Sequence, residues 1–166
     1  MKLVTVLLLC TFGALAQNQP PRKLPTPAQA VRNNFGDVNR RVLDMAKDFP
    51  EEKYNYAPAK DVRSFGDIIV HVASGNVYGA KFGRGENVKW DEIDPKTVHG
   101  KAEIVALLEK SISDGKDTLG KIPDEQFKDS ITPWMAIIEH AGEHYGQLVV
   151  YYRVNGMVPP ESRPKK

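Results

Sequence analysis

The segment covering residues 137–152, IIEHAGEHYGQLVVYY, constrains the fold more than any other part of the chain. Its apolar residues recur at three- and four-residue steps, which is typical of a helix with one buried face. At about 100° per residue, His140 and His144 lie on that face, whereas Glu139 and Glu143 point the opposite way. Because a buried polar group without a partner is costly, the sequence requires a partner for this histidine pair.

Three earlier stretches show the same helical periodicity and carry recognisable start or stop signals. Thr26 is a suitable N-cap for the first helix, which should end before Pro50. Ser64 and Asp67 have the spacing of a capping box at the start of the second helix. The third helix is expected over residues 101–122.

The fourth helix is expected to have Thr132 as its N-cap and Pro133 as its first residue, and to stop at Gly156. A long segment that contains Trp90, residues 83–100, separates helices two and three, and it is either a lid over a site or a solvated crossover. No internal repeat or convincing strand pattern is present. The sequence therefore predicts an all-α four-helix bundle with a long crossover between helices two and three.

The N-terminus has the features of a secretory signal peptide. Lys2 precedes a short apolar run, and residues 14–16 form an A-x-A cleavage site, so we expect residues 1–16 to be removed and the protein to be exported to the periplasm or secreted. Cleavage would also remove Cys10, the only cysteine. Residues 17–25 are polar and proline-rich, as in a flexible lead-in, and residues 161–166 form a basic C-terminal tail.

The charge of the mature chain argues against a nucleic-acid partner. Without Lys2 the chain has 22 basic and 21 acidic residues, and no basic stripe is visible along its helices. No second hydrophobic stretch has the ~20 residues that a transmembrane helix needs, so we expect no membrane segment after cleavage.

A metal ion is the partner that best explains the histidines. Two histidines four residues apart on one face can reach one cation, but the spacing H-A-G-E-H differs from the H-E-x-x-H helix of zinc proteases. His71 lies on the apolar side of helix two and is the best candidate for a third ligand, whereas His99 lies in a polar segment. The alternative is that each of the three is a hydrogen-bonded core residue.

Three segments in order resemble the DinB-like (DinB/YfiT) superfamily. They are MAKDFPEEKYNYAP (residues 45–58), SFGDIIVHVASGN (residues 64–76) and HAGEHYGQLVVYYRVNGMVPP (residues 140–160), and the resemblance covers residues 26–160. It implies an up-down-down-up bundle, a divalent metal held by His71, His140 and His144, and in many members a homodimer. Tyr145 stands where the family commonly has arginine.

The resemblance leaves two function classes open. One is a metal-dependent hydrolase or S-transferase, with zinc, nickel or iron as the cofactor; the other is a non-catalytic, metal-stabilised bundle that binds a small ligand or a protein. Export favours hydrolysis, because low-molecular-weight thiols are cytosolic pools. Gln147 is expected either to bind a ligand or orient an imidazole, or only to cap a helix contact. Tyr78 and Tyr151 are expected to line the pocket, with packing in the core as the alternative. The substrate and the general base are not assigned.

Overall fold

The structure is a computed structural model that describes residues 23–164, apart from the side chains of residues 128–130. The four helices are α1 (Pro27–Asp48), α2 (Phe65–Gly83), α3 (Gly100–Lys121) and α4 (Phe127–Val154). Residues 23–164 contain no strand, so the predicted all-α four-helix bundle is confirmed. No helix in this range has the length and apolarity needed to cross a bilayer. The predicted signal peptide at residues 1–16 and most of the predicted lead-in lie outside the described residues.

Capping boxes start the first two helices where the sequence predicts. The Thr26 hydroxyl accepts a hydrogen bond from the Gln29 backbone N–H at 3.2 Å, and the Gln29 side chain accepts one from the Thr26 N–H at 3.0 Å. Ser64 and Asp67 make the same reciprocal pair at 3.2 and 3.3 Å. Each cap satisfies backbone donors that would otherwise have no helical partner, a contribution of about 1 kcal/mol.

The predicted start of the fourth helix is wrong. α4 begins at Phe127 rather than after Thr132, and Pro133 lies inside the helix instead of at its first position. Proline removes one backbone donor, but Phe127 is only 2% exposed and packs against the apolar cluster at the start of α1. Burial of a phenylalanine contributes about 1.5–3 kcal/mol, which offsets much of the cost of about 3 kcal/mol for a proline within a helix.

Contacts between helix ends establish the topology. The Tyr152 hydroxyl at the end of α4 donates to the Met45 carbonyl at the end of α1, at 2.8 Å, so α1 and α4 run in the same direction. Phe65 at the start of α2 stacks on Phe49, with 3.8 Å between ring centroids. Lys101 at the start of α3 donates to the Phe49 carbonyl at 2.8 Å. The starts of α2 and α3 thus meet the ends of α1 and α4, which is the up-down-down-up order.

Helices α2 and α4, which carry the three histidines, approach each other closely. A Cβ atom added at Gly79 would lie 2.2 Å from Cδ1 of Ile137, a distance that no side chain tolerates without movement. The crossover between α2 and α3 is also held against α2, because the Ile93 backbone N–H donates to the Ser74 hydroxyl at 3.0 Å. The fold therefore places two helices and one connecting segment around the histidines.

The segment after α4 packs on α1. Glu161 forms an ion pair with Arg40 at 2.6 Å, and the Arg163 guanidinium donates to both carboxylate oxygens of Asp48. Gly156, which ends α4, has the left-handed φ of 70° expected of a glycine at a helix C-terminus. The structure thus places the beginning of the basic tail against the bundle.

Candidate metal centre

Three histidines from two helices meet on one side of the bundle. His71 lies in α2 next to the buried Val70 and Val72, and His140 and His144 lie one turn apart on α4. All three imidazoles are partly buried, and their candidate ligand nitrogens lie within 4.8 Å of one another. The structure therefore brings together the three side chains that the sequence singles out.

The spacing of the imidazoles is close to that of a tetrahedral metal site. Nε2 of His71 lies 2.9 Å from Nε2 of His140, and the three ring centroids are 4.6–4.8 Å apart. A tetrahedral zinc ion with Zn–N bonds of about 2.0–2.1 Å holds its nitrogens about 3.3 Å apart. For the His71–His140 pair, an outward movement of a few tenths of an ångström would thus reach this separation, and all three candidate nitrogens lie within 4.8 Å of one another.

Two acceptors orient the imidazoles for ligation through Nε2. A carboxylate oxygen of Glu92 lies 2.8 Å from Nδ1 of His71, and the amide oxygen of Gln147 lies 2.9 Å from Nδ1 of His144. Because both partners accept, both Nδ1 atoms carry the proton, and the lone pair of each Nε2 is directed elsewhere. Metal-binding histidines in proteins characteristically have such a partner. This arrangement fits a metal ion.

The local environment keeps at least two of the imidazoles neutral. Burial, together with the neighbouring His144 and His71, lowers the pKa of His140 to about 4. Burial also lowers the pKa of His71, although the hydrogen bond with Glu92 opposes this effect. Neutral imidazole is the form that binds a metal, so His140 and His71 need not release a proton to bind one at neutral pH.

Glu92 is the site residue that the sequence analysis missed. It comes from the crossover between α2 and α3, and its carboxylate also contacts the Arg63 guanidinium at 3.2 and 3.3 Å. Burial would raise the pKa of Glu92, but the hydrogen bond from His71 and the charge of Arg63 lower it overall. The sequence offers one hint, since Glu92 lies between Trp90 and Ile93 in an otherwise polar segment.

A cavity of about 330 Å³ opens beside the histidines, between α2, α4 and the crossover. His140 forms one end of this cavity, and Trp90 of the crossover covers one side, with its ring centroid 5.9 Å from that of His140. A larger cavity of about 460 Å³ lies at the starts of α2 and α3, but it contains none of the three histidines. The smaller cavity is the candidate substrate site, because only this one reaches the histidines.

The other residues that the sequence singles out occupy different positions. Tyr78 lines the cavity, whereas Tyr151 is 1% exposed and its hydroxyl donates to the Arg63 carbonyl. His99 is exposed and precedes α3, away from the cluster. A Cβ at Gly75 would lie 3.0 Å from Nδ1 of His140, so α2 and α4 are in close contact at this point.

Comparison with known proteins agrees with this geometry. The family model of the DinB superfamily matches residues 34–151, well over half of the chain. The matched range includes α2, the crossover and most of α4. No curated protein matches the chain. The family match thus covers all of the segments that build the site.

Proposed function

The chain belongs to the DinB superfamily, and we propose that it binds one divalent transition metal through His71, His140 and His144. The observation that carries this proposal is the convergence of three imidazole nitrogens within 4.8 Å. It is supported by the acceptors at Nδ1 of two of these imidazoles. A bundle that needed these histidines only for packing would require neither the convergence of their nitrogens nor an acceptor at Nδ1 of two of them.

The donor set limits the choice of metal. Neutral imidazoles suit zinc, nickel, iron or copper, whereas magnesium and calcium prefer oxygen ligands. The nearest carboxylate, Glu92, is hydrogen-bonded to His71 and paired with Arg63, so we assign it to orienting His71 rather than to the ligand set. Zinc, nickel, iron and copper remain the candidates.

We propose hydrolysis of a small molecule as the reaction. Catalytic metal sites commonly use three protein ligands and keep a further position for water or substrate. A metal held there supplies Lewis-acid chemistry and lowers the pKa of water towards neutrality. The three histidines hold the ion, Glu92 and Gln147 orient two of them, and the cavity beside His140 binds the substrate.

A non-catalytic metal-stabilised bundle is the second candidate, and one observation favours it. Among the described residues, none of those lining the cavity is a carboxylate or a lysine that could transfer a proton during hydrolysis.

The S-transferase function that other members of the family have requires a thiol cofactor. Export, which we propose from the signal-peptide features of residues 1–16, would separate the protein from the cytosolic thiol pool.

The proposed site is tested by titrating the metal-free protein with Co²⁺ and recording its visible absorption. Tetrahedral coordination by histidines gives intense d–d bands, which we expect to saturate near one equivalent and to be absent from a His140→Ala/His144→Ala variant. His99→Ala is the matched control, because His99 is exposed and outside the cluster. Bands of equal intensity in the double variant would show that the metal binds elsewhere.

A panel of esters and amides then separates the two functions. Turnover by the Zn²⁺-loaded protein that disappears in the double histidine variant would support the hydrolase. Saturable metal binding without turnover would support the non-catalytic bundle.

A further inference from the structure

The cavity beside His140 is lined almost entirely by apolar and aromatic groups. These come from both helices and from the crossover: Gly75, Tyr78, Trp90, Pro133, Ala136 and Ile137. Four of the lining residues have a polar group in the side chain: Thr132, Tyr78, Trp90 and His140. None of the lining residues is an aspartate, glutamate, lysine or arginine.

This lining disfavours charged ligands. A carboxylate or an ammonium group that entered the cavity would lose hydration, and no lining residue of opposite charge would compensate for that loss. An apolar group gains free energy in the same place, because it removes its own surface and that of the lining residues from water. The chemistry of the walls therefore selects for an uncharged group in the part of a ligand that enters the cavity.

The shape of the cavity favours a flat group. The Trp90 ring lies 5.7 Å from the Tyr78 ring at an interplanar angle of 59°, and 5.9 Å from the His140 ring at 72°. Tilted and edge-on aromatic contacts at such distances are favourable, and a further ring could extend this set. A cavity of about 150 Å³ already holds benzene, so the volume of about 330 Å³ accommodates one ring with several additional atoms.

We infer that the substrate or ligand of this site is a small molecule that places an uncharged aromatic ring, or a similarly flat apolar group, in this cavity. That group would lie between Trp90, Tyr78 and Ile137, with the polar group of the molecule directed past His140 towards the three histidines. This inference rests on the proposed metal site, because the metal would hold the polar group.

A pair of hydroxamates tests the inference. Benzohydroxamate and acetohydroxamate present the same metal-binding group with and without an aromatic ring, and 4-carboxybenzohydroxamate adds a charge to the ring. Dissociation constants for the Zn²⁺-loaded protein are measured by calorimetry. We expect benzohydroxamate to bind at least about 10-fold more tightly than acetohydroxamate, since its ring is buried. The added carboxylate of 4-carboxybenzohydroxamate should remove most of this gain in affinity.

Three variants locate the effect in the cavity. Ala136 is exposed and lines the cavity at its rim. Because Ala136→Lys adds a positive charge there, it should weaken the binding of benzohydroxamate and strengthen the binding of 4-carboxybenzohydroxamate. Met135→Lys adds the same charge one residue away at an exposed position outside the cavity, and should leave the wild-type order unchanged. Trp90→Ala should reduce the advantage of the aromatic compound.

The outcomes separate this inference from the metal site. If the wild type binds one metal ion but has equal affinities for the first two hydroxamates, the inference is overturned and the metal site stands. The inference is likewise overturned, and the metal site stands, if Met135→Lys and Ala136→Lys change the affinities for the hydroxamates equally. If the wild type binds no metal, the proposed function fails and the inference fails with it.

Discussion

Replacing Glu92 tests whether the crossover between α2 and α3 positions a metal ligand. The Glu92 carboxylate accepts a hydrogen bond from Nδ1 of His71 at 2.8 Å and is also paired with the Arg63 guanidinium. Glu92→Gln keeps an acceptor at this position but removes the charge, and Glu92→Ala removes both. The series therefore separates the orientation of His71 from the effect of the carboxylate charge on its basicity.

The structure limits the size of the effect. Removing a hydrogen-bond partner of a metal-binding histidine typically weakens metal binding 10- to 100-fold, which corresponds to about 1.4–2.7 kcal/mol. The Glu92 side chain is 32% exposed, so water screens part of its charge. We therefore expect about 10-fold weaker binding for Glu92→Gln and a loss towards 100-fold for Glu92→Ala.

Competition with a chromophoric Zn²⁺ chelator measures these dissociation constants. Glu86→Gln is the matched control, because Glu86 lies in the same crossover but pairs with Arg84 rather than with a histidine. Thermal denaturation of the metal-free proteins checks that the substitutions leave the fold intact. Unchanged zinc affinity in both Glu92 variants would refute the assignment of Glu92 to His71.

Two further predictions concern stability. Gly115→Ala places a Cβ 2.5 Å from Cζ of the buried Phe35 and should lower the free energy of unfolding by about 1–3 kcal/mol. Gly120→Ala in the same helix meets no atom within 4 Å and should raise it by about 0.5–1 kcal/mol; equal stabilities in urea denaturation would contradict the packing of α3 on α1. The hydrogen bond from Arg163 holds the pKa of Asp48 in the folded protein below its usual value. The stability that this pair contributes is therefore fully present above about pH 4 and is lost as the pH falls through the lower pKa of the folded state. Asp48→Asn should therefore lose less stability than the wild type between about pH 6 and about pH 3, and equal losses would count against the pair.

Local signals predicted the start of two helices but not of the fourth. Thr26 and Ser64 satisfy donors within three residues of themselves, so the sequence alone contains the whole interaction. The start of α4 depends on Phe127, whose burial against α1 is a contact between residues distant in sequence. Thr132 and Pro133 form a valid local start signal, and the distant contact outweighs it.

The same distinction applies to the site. The spacing of His140 and His144 within one helix, and the apolar side on which His71 lies, could be predicted from periodicity. The partner of His71 could not, because Glu92 comes from a crossover without a regular period. Its position depends on where that segment crosses α2, which the hydrogen bond between Ile93 and Ser74 helps to determine.

The most direct test of the metal site is the metal content of the protein purified without a histidine tag or added metal. Elemental analysis would compare the wild type with the His140→Ala/His144→Ala and His99→Ala variants. We predict about one equivalent of a transition metal in the wild type and in His99→Ala, and almost none in the double variant. A wild type that holds no metal, even after reconstitution and dialysis, would contradict the account and leave the three histidines as hydrogen-bonded residues of the bundle.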